Sequence, residues 1–221
     1  TGDGHILSAS VEMKNANKEK FYFSFKPKFT FNTKQNSFTN ASHTTMNADT
    51  LNSSVSTKFN EGRSAGTSGQ LDMGIMKLGG KEGRNLSLYA YYNFDNGDGV
   101  SGENSSTLLG DSTAVVSLLY DKKSSSSYLH SNISYVEPLG EKWVLRVQTR
   151  GSWSSSRSDN IATNGLDGTY NDYYTNITDN ESAVLSGGVT TQYRSGNHNL
   201  SFGFSANMNE NVNYVKNLGT E

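Results

Sequence analysis

The chain has 221 residues, a formal net charge of −2 and 33% hydrophobic residues, so it is long enough for a large core but poor in apolar side chains for a globular domain. The near-zero charge and the lack of a basic stripe argue against a nucleic-acid partner, and the absence of cysteine excludes disulfides, thiol catalysis and cysteine metal sites. No apolar run approaches the roughly 18 residues that a transmembrane helix needs, and helical periodicity is absent, which predicts an all-β protein.

Apolar and polar residues alternate in the first part of the chain, which predicts a pair of strands. The first strand covers residues 6–14, and the second is a phenylalanine-rich run over residues 21–31, with a short turn at residues 15–19 between them. Pro27 falls on the apolar face of the second run, although proline cannot donate a hydrogen bond to a sheet.

A second pair of strands is predicted around a glycine-rich turn at residues 79–83, because residues 71–75 alternate before the turn and residues 86–94 alternate after it. Residues 113–120 are apolar on both faces, and they fit either a short strand or part of a loop. A last pair, residues 183–191 and 200–208, is predicted around a turn at residues 195–197.

The third pair of strands, residues 127–156 with a turn at residues 137–141, carries both tryptophans of the chain. Trp143 and Trp153 are ten residues apart on one face of the second strand, at the same parity as the apolar residues between them. Ten residues span about 33 Å along a strand, or roughly 25 Å of height at a tilt of about 40°, the thickness of the apolar band of an outer-membrane barrel. Because aromatic residues mark both edges of such a band, this hairpin is predicted to span a membrane.

Long polar segments separate the predicted pairs, at residues 32–67, 95–111 and 158–180, and residues 209–221 also run polar. Short turns alternating with long loops are typical of outer-membrane barrels, whereas a sandwich shows no such asymmetry. The sequence therefore predicts an antiparallel up-and-down arrangement of about eight transmembrane β-barrel strands in one domain, residues 1–221. The residues expected to face lipid are Phe21, Phe23, Phe29, Leu145, Leu185, Phe202 and Phe204.

Three stretches carry a family resemblance. Residues 135–142 read Y-V-E-P-L-G-E-K, and residues 83–88 and 214–220 add weaker matches. They resemble the outer-membrane β-barrel family of Bacteroidota, which is related to the TonB-dependent receptors. The resemblance implies a bacterial outer-membrane location and solute uptake by a large barrel with a plug. It also implies as partners the membrane lipid, the rest of the barrel with its plug, a surface lipoprotein and TonB.

The chain departs from that family in having no recognisable plug domain or energy-coupling box, and about eight strands where such transporters have about 22. Both ends of the predicted strand array also fall on the side of the long loops. We therefore expect a segment of a larger barrel that does not close on itself. The alternative from the sequence is a soluble β-rich surface or carbohydrate-binding protein, and neither hypothesis makes the chain an enzyme.

Two groups of residues are candidates for contact with a solute or a partner. Five basic residues lie opposite the apolar faces and would line a barrel lumen, where they form a mixed electrostatic lining or meet an anionic solute or the plug: Lys26, Lys28, Arg146, Arg150 and Arg194. Three aromatic residues lie in the third long polar segment, where their rings would stack on sugars or bind a lid protein: Tyr170, Tyr173 and Tyr174.

Motifs that match catalytic or cofactor patterns lack the context that the chemistry needs. Residues 62–66 match the G-x-S-x-G elbow without a buried strand before them and a helix after them. Residues 97–102 match the dinucleotide fingerprint, but no helix follows to meet a pyrophosphate. Asp95, Asp98 and Glu103 miss the spacing of a calcium loop. The sequence predicts no catalytic, cofactor or metal site.

Overall fold

A computed structural model describes residues 2–14, 21–46, 49–109 and 112–217, and within them the strands form one antiparallel sheet. The strands are β1 (Gly2–Ser8), β2 (Val11–Lys14), β3 (Phe21–Met46), β4 (Asp49–Ile75), β5 (Asn85–Leu109), β6 (Ser112–Pro138), β7 (Trp143–Asn164), β8 (Asn176–Ser195) and β9 (His198–Asn217). Two single-turn 3-10 helices, Leu78–Gly80 and Asp172–Tyr174, lie in connections. From β3 onward each strand pairs with its neighbour in the chain, which confirms the all-β, antiparallel, up-and-down prediction.

The first predicted strand is divided into β1 and β2, which both pair with β3. The register is the same on both sides of the break, so no residue has been inserted. The break lies opposite Pro27, which has no N–H to donate, although its carbonyl accepts from Ala9 N at 3.1 Å. Nine strands therefore occupy eight positions across the sheet.

The prediction of long polar loops at residues 32–67 and 95–111 is wrong. The first segment continues β3 to Met46 and begins β4 at Asp49, and the second continues β5 to Leu109. In the third segment only residues 165–175 connect strands, and residues 209–217 belong to β9. The ambiguous residues 113–120 lie in β6. Sheet hydrogen bonding continues past the apolar part of each strand, because a neighbouring strand of equal length offers its backbone groups.

Three of the four predicted turns are confirmed, at residues 79–83, 137–141 and 195–197, and residues 15–19 lie outside the described part of the chain. Gly140 has φ 96° and Gly196 has φ 55°. Both values lie in the left-handed region, which glycine enters without the steric cost that a Cβ imposes. The glycines at these positions therefore fix where the β6–β7 and β8–β9 hairpins turn.

The sheet has two chemically different faces. The register of β7 runs without a shift from Val144 to Asn160 with β6 and from Trp143 to Asn160 with β8, so Trp143 and Arg146 point to opposite sides, as the alternation predicts. Following the pairs across the sheet places all seven residues expected to face lipid on the side of Trp143. We call that side the apolar face and the other the polar face. No second layer covers either face among the described strands.

Large rings cover glycines within the single layer. The Tyr92 ring lies over Gly69 on the apolar face, and the Tyr22 ring lies over Gly74 on the polar face. Both glycines are buried by these rings. Aromatic side chains thus protect backbone that has no side chain of its own, a device that also helps to fix strand register.

The two edges of the sheet are β1 with β2 on one side and β9 on the other. Between residues 2 and 217, as far as they are described, no pairing joins β9 to β1 or β2. Each edge therefore presents a row of backbone N–H and C=O groups without a strand partner within the described sheet.

Candidate functional site

An uncharged band crosses the apolar face near the end of the sheet that carries the β4–β5, β6–β7 and β8–β9 turns. On this face every strand from β3 to β9 carries only apolar, small or hydroxyl-bearing side chains over one segment. The segments are residues 21–31 in β3, 65–75 in β4, 86–94 in β5, 129–135 in β6, 143–153 in β7, 183–193 in β8 and 200–208 in β9. We call these segments the apolar band. Among the described residues, no helix is long and apolar enough to cross a bilayer.

The tryptophans lie at the two limits of the apolar band. At the limit nearest the β6–β7 and β8–β9 turns, the Trp143 ring contacts Tyr193 with centroids 4.8 Å apart. At the far limit Trp153 Nε1 donates a hydrogen bond to Glu181 Oε1 at 2.8 Å. An indole with an apolar body and a satisfied N–H is suited to a boundary between apolar and aqueous surroundings.

Charged side chains begin immediately beyond the far limit of the band. Arg63 Nε lies 2.9 Å from Asp98 Oδ1, and Arg157 Nε lies 2.8 Å from Asp159 Oδ1. Together with Lys123 these residues line a cleft of about 770 Å³ on the apolar face. Positive and negative groups alternate along the cleft, so this row marks the end of the band without giving the surface an excess of either charge.

The five basic candidates all lie on the polar face, as two separate pairs and one single residue. Lys26 and Lys28 lie on β3 and line a cleft of about 500 Å³, where Lys26 Nζ approaches Glu12 Oε1 at 3.8 Å. Arg146 and Arg150 lie on β7, several strands away, and line a second cleft of about 340 Å³. Arg194, near the end of β8, donates from Nη2 to Gln192 Oε1 at 3.0 Å. The sheet does not bring the five together as one cationic site.

The three candidate tyrosines lie in the β7–β8 connection, which is held against the end of β7. The hydroxyl of the buried Thr175 accepts from Ala162 N at 3.0 Å. Tyr173 and Tyr174 meet edge to face with centroids 4.9 Å apart. Tyr174 lines a cleft of about 470 Å³ on the polar face, whereas Tyr173 is 77% exposed and Tyr170 is 50% exposed. The three rings therefore do not form one platform.

The cleft beside Tyr174 contains an ion pair and a second tyrosine. Lys58 Nζ lies 2.9 Å from Glu103 Oε1, and the Tyr120 ring lies beside them. Burial and then the negative charge of Glu103 raise the pKa of the Tyr120 hydroxyl.

A group of four rings on the polar face was not predicted from the sequence. Tyr89 and Tyr91 on β5 face Tyr128 and His130 on β6, and we call these four residues the tyrosine array. The Tyr89–His130 and Tyr91–Tyr128 centroid distances are both 6.0 Å, and the Tyr128 and His130 rings are parallel at 6.5 Å. Their parity, which matches the polar residues of each strand, indicates from the sequence that they lie on the polar face, but it does not indicate that they meet.

The E-P-L-G turn contains a charged cluster that joins two hairpins. The Glu137 carboxylate lies 2.7 Å from Arg84 Nε and 2.7 Å from Lys81 Nζ, and it also accepts from the Tyr135 hydroxyl. These hydrogen bonds, with that from Arg84 the largest, hold the pKa of Glu137 well below its usual range. The cluster ties the β4–β5 turn to the β6–β7 turn below the apolar band.

The motifs that match catalytic or cofactor patterns lie inside continuous strands. Residues 62–66 belong to β4 and residues 97–102 to β5, so neither forms a loop before a helix. Asp98 lies on the opposite face from Asp95 and Glu103, because its parity differs. The described residues contain no group of three or more histidine, aspartate or glutamate side chains arranged to hold a metal ion.

No model of a protein family matches the chain, and a comparison with curated proteins finds no significant match. The function of the chain is therefore inferred from the geometry of the sheet and the chemistry of its two faces.

Proposed function

We propose that this chain forms part of a bacterial outer-membrane β-barrel that takes up solutes, with its apolar face toward lipid and its polar face toward a water-filled lumen. The apolar band carries the proposal. A transmembrane strand needs about 9–11 residues, and most segments of the band have this length. The band also has tryptophans at both limits and charged residues beyond the far limit, as a lipid-facing surface requires.

The exposure of the band supports lipid as its neighbour. Leu185 is 52% exposed, Phe202 is 63% exposed and Phe204 is 77% exposed in the single layer. Soluble monomers rarely expose contiguous apolar patches larger than a few hundred Å². A soluble surface protein would need a second layer over this face, whereas acyl chains cover it in a membrane.

The unpaired edges support completion of the barrel by further strands. Hydrocarbon offers no hydrogen-bond partner, so a lipid-exposed sheet edge costs several kcal/mol for each unsatisfied backbone group. Further strands of the same barrel beside β1 and β9 would satisfy these groups. The resemblance of residues 135–142 to the outer-membrane β-barrel family of Bacteroidota adds to this proposal a plug, TonB and a surface lipoprotein as partners.

Depth-dependent fluorescence quenching tests the proposal on two adjacent residues of β7. With both native tryptophans changed to phenylalanine, one variant carries Val147→Trp on the apolar face and a matched variant carries Gln148→Trp on the polar face. In phospholipid vesicles we expect lipids brominated on their acyl chains to quench the first tryptophan, and aqueous acrylamide to quench the second. Equal access of acrylamide to both, or a protein that stays monodisperse in water without detergent, contradicts the proposal.

A further inference from the structure

The cleft at the far limit of the apolar band has an apolar part and a charged part. Phe31 of β3 and Ala65 of β4 line it from the band, and Phe31 is 54% exposed. Arg63 lies two residues from Ala65 on the same face, about 7 Å farther along the strand. In the proposed barrel the cleft therefore opens toward lipid at the depth where acyl chains meet head groups.

Charges of opposite sign alternate across the strands at this depth. The register pairs Arg63 of β4 with Asp98 of β5, and Asp98 with Lys123 of β6. Lys123 is paired in turn with Asp159 of β7. Neighbouring strands lie about 4.8 Å apart, so this row places a cation and a carboxylate side by side on each pair of strands.

The lysine of this row is available to an anionic group. Arg63 Nε donates to both oxygens of Asp98 at 2.9 Å. Arg157 Nε donates to Asp159 Oδ1 at 2.8 Å. Within the described parts of the chain Lys123 forms no ion pair, although it lies between these two carboxylates.

Asp98 is the carboxylate of the row that a ligand reaches more easily. Its side chain is 50% exposed, whereas that of Asp159 is 20% exposed. A carboxylate has about four acceptor positions, and a single N–H group of Arg63 leaves some of them open. Asp98 can therefore still accept hydrogen bonds from an ammonium group.

The charges that line the cleft balance, which limits the head groups that fit it. Apart from His5, the charged lining consists of three cations and three carboxylates: Arg63, Lys123, Arg157, Asp3, Asp98 and Asp159. A head group with only negative charge gains little from such surroundings. In phosphoethanolamine a short ethylene link joins a phosphate to an ammonium group, so each meets a partner on neighbouring strands. In phosphocholine, methyl groups replace the N–H donors that a carboxylate would accept.

We infer that the cleft binds the phosphoethanolamine head group of a membrane lipid. The inference rests on the proposed function, because it needs the apolar face in lipid. Lys123 binds the phosphate, Asp98 accepts hydrogen bonds from the ammonium group, and Phe31 and Ala65 contact the adjoining part of the acyl chains. Phospholipids and phosphorylated glycolipids both carry this head group, and the test distinguishes the two sources.

Quenching of tryptophan by brominated lipids measures the selectivity. Trp153 is paired with Leu129 of β6, which lies six residues from Lys123 on the same face, so acyl chains below the head group pass it. Trp143→Phe leaves Trp153 as the sole tryptophan. The protein is placed in phosphatidylcholine vesicles that contain a small fraction of phosphatidylethanolamine, phosphatidylcholine or phosphatidylglycerol brominated on its acyl chains. We expect a relative binding constant about two- to fivefold higher for phosphatidylethanolamine than for the other two, as an exposed ion pair gives.

Charge-removing variants on the two faces of the same strands test the site. Asp98→Asn removes the acceptor for the ammonium group, and Lys123→Ala removes the phosphate contact that holds the head group beside it. Each should reduce the preference to within about 1.5-fold. Asp95→Asn and Lys122→Ala are the matched controls, because each removes the same charge from the same strand on the polar face. Both controls should keep the preference.

Equal quenching by brominated phosphatidylethanolamine and phosphatidylcholine overturns the inference alone. A preference that survives both Asp98→Asn and Lys123→Ala, or that is lost in either control, also overturns it. Absence of quenching by every brominated lipid overturns the proposed function as well, so the two failures are distinguishable.

Unlabelled lipid A added as a competitor distinguishes the two sources of the head group. Relief of the quenching by lipid A that carries phosphoethanolamine, and not by lipid A without it, assigns the site to the glycolipid. No relief by either form assigns the site to the phospholipid. Equal relief by both forms contradicts recognition of phosphoethanolamine and overturns the inference.

Discussion

Placing one arginine on each face of β6 tests the orientation of the sheet with adjacent residues. Ile133 lies on the apolar face and is 47% exposed, whereas Ser134 lies on the polar face of the same strand. Ile133 pairs with Thr149, which is six residues from Trp143 and four residues from Trp153. At about 3.3 Å per residue and a tilt of about 40°, Ile133 lies roughly 15 Å from one limit of the band and roughly 10 Å from the other.

In the proposed membrane orientation, Ile133→Arg therefore puts a guanidinium near the midplane of the bilayer. An arginine at this depth on the lipid face lowers the free energy of unfolding by about 2–4 kcal/mol. A surface substitution elsewhere usually changes it by no more than about 0.5 kcal/mol. Ser134→Arg serves as the control, because its polar-face partners Ser87 and Gln148 are uncharged. We expect the two variants to differ by at least about 1.5 kcal/mol.

Urea titration of the protein in phospholipid vesicles, followed by tryptophan emission, measures the difference. With a slope of about 2 kcal/mol/M, the expected loss for Ile133→Arg moves the midpoint down by roughly 1–2 M, while the slope stays constant. Equal midpoints for the two variants, or a larger loss for Ser134→Arg, would refute the assignment of the faces.

Three further changes test local features. Trp153→Phe removes the indole donor at the far limit of the band and should cost about 0.5–1.5 kcal/mol in the same titration, and no loss would contradict the boundary role. The lowered pKa of Glu137 stabilises the turn cluster above its unfolded pKa of about 4.3, and this stability is lost as pH falls toward the folded value. Glu137→Gln should therefore reduce the loss of stability that the parent protein shows as pH falls below about 5, and an unchanged pH profile would argue against a stabilising role for the cluster. Gly74→Ala puts a Cβ into the tyrosine ring above it and should cost about 1–3 kcal/mol, whereas Gly187→Ala, whose nearest atom is 4.0 Å away, should cost less in the titration.

The sequence predicts the sheet where its two faces meet different surroundings. Between Trp143 and Trp153 the alternation is strong, because one face is apolar and the other is polar. Beyond the band, Thr57 pairs with Asn104, and both faces carry polar residues. Alternation in the sequence reflects a chemical difference between the two faces of a strand. Where both faces are polar there is no alternation, and the sequence there predicts loops although the structure has strand ends.

The tyrosine array escapes prediction for a related reason. Tyr89 and Tyr91 lie in the run L-S-L-Y-A-Y-Y-N-F, where phenol rings look like part of the apolar pattern. Their partner His130 is about forty residues away in the sequence, and only the register of β5 with β6 brings the rings together. Register depends on the turn and on many backbone hydrogen bonds, so the sequence pattern alone does not fix which side chains meet.

The length of the strands beyond the band has a consequence for how the protein opens. From Phe94 to Leu109, β5 extends a further fifteen residues, roughly 40 Å above the band at a tilt of about 40°. Leu118 and Ala162, the two buried hydrophobic side chains of the described chain, both lie in this outer region, and the rest of it depends on its backbone ladder and polar pairs. With the band in a membrane, as proposed, we expect amide protons there to exchange with solvent sooner than those of the same strands within the band. Each hairpin would then open first at the end away from the band, while the membrane-embedded end keeps the register from which the strands pair again.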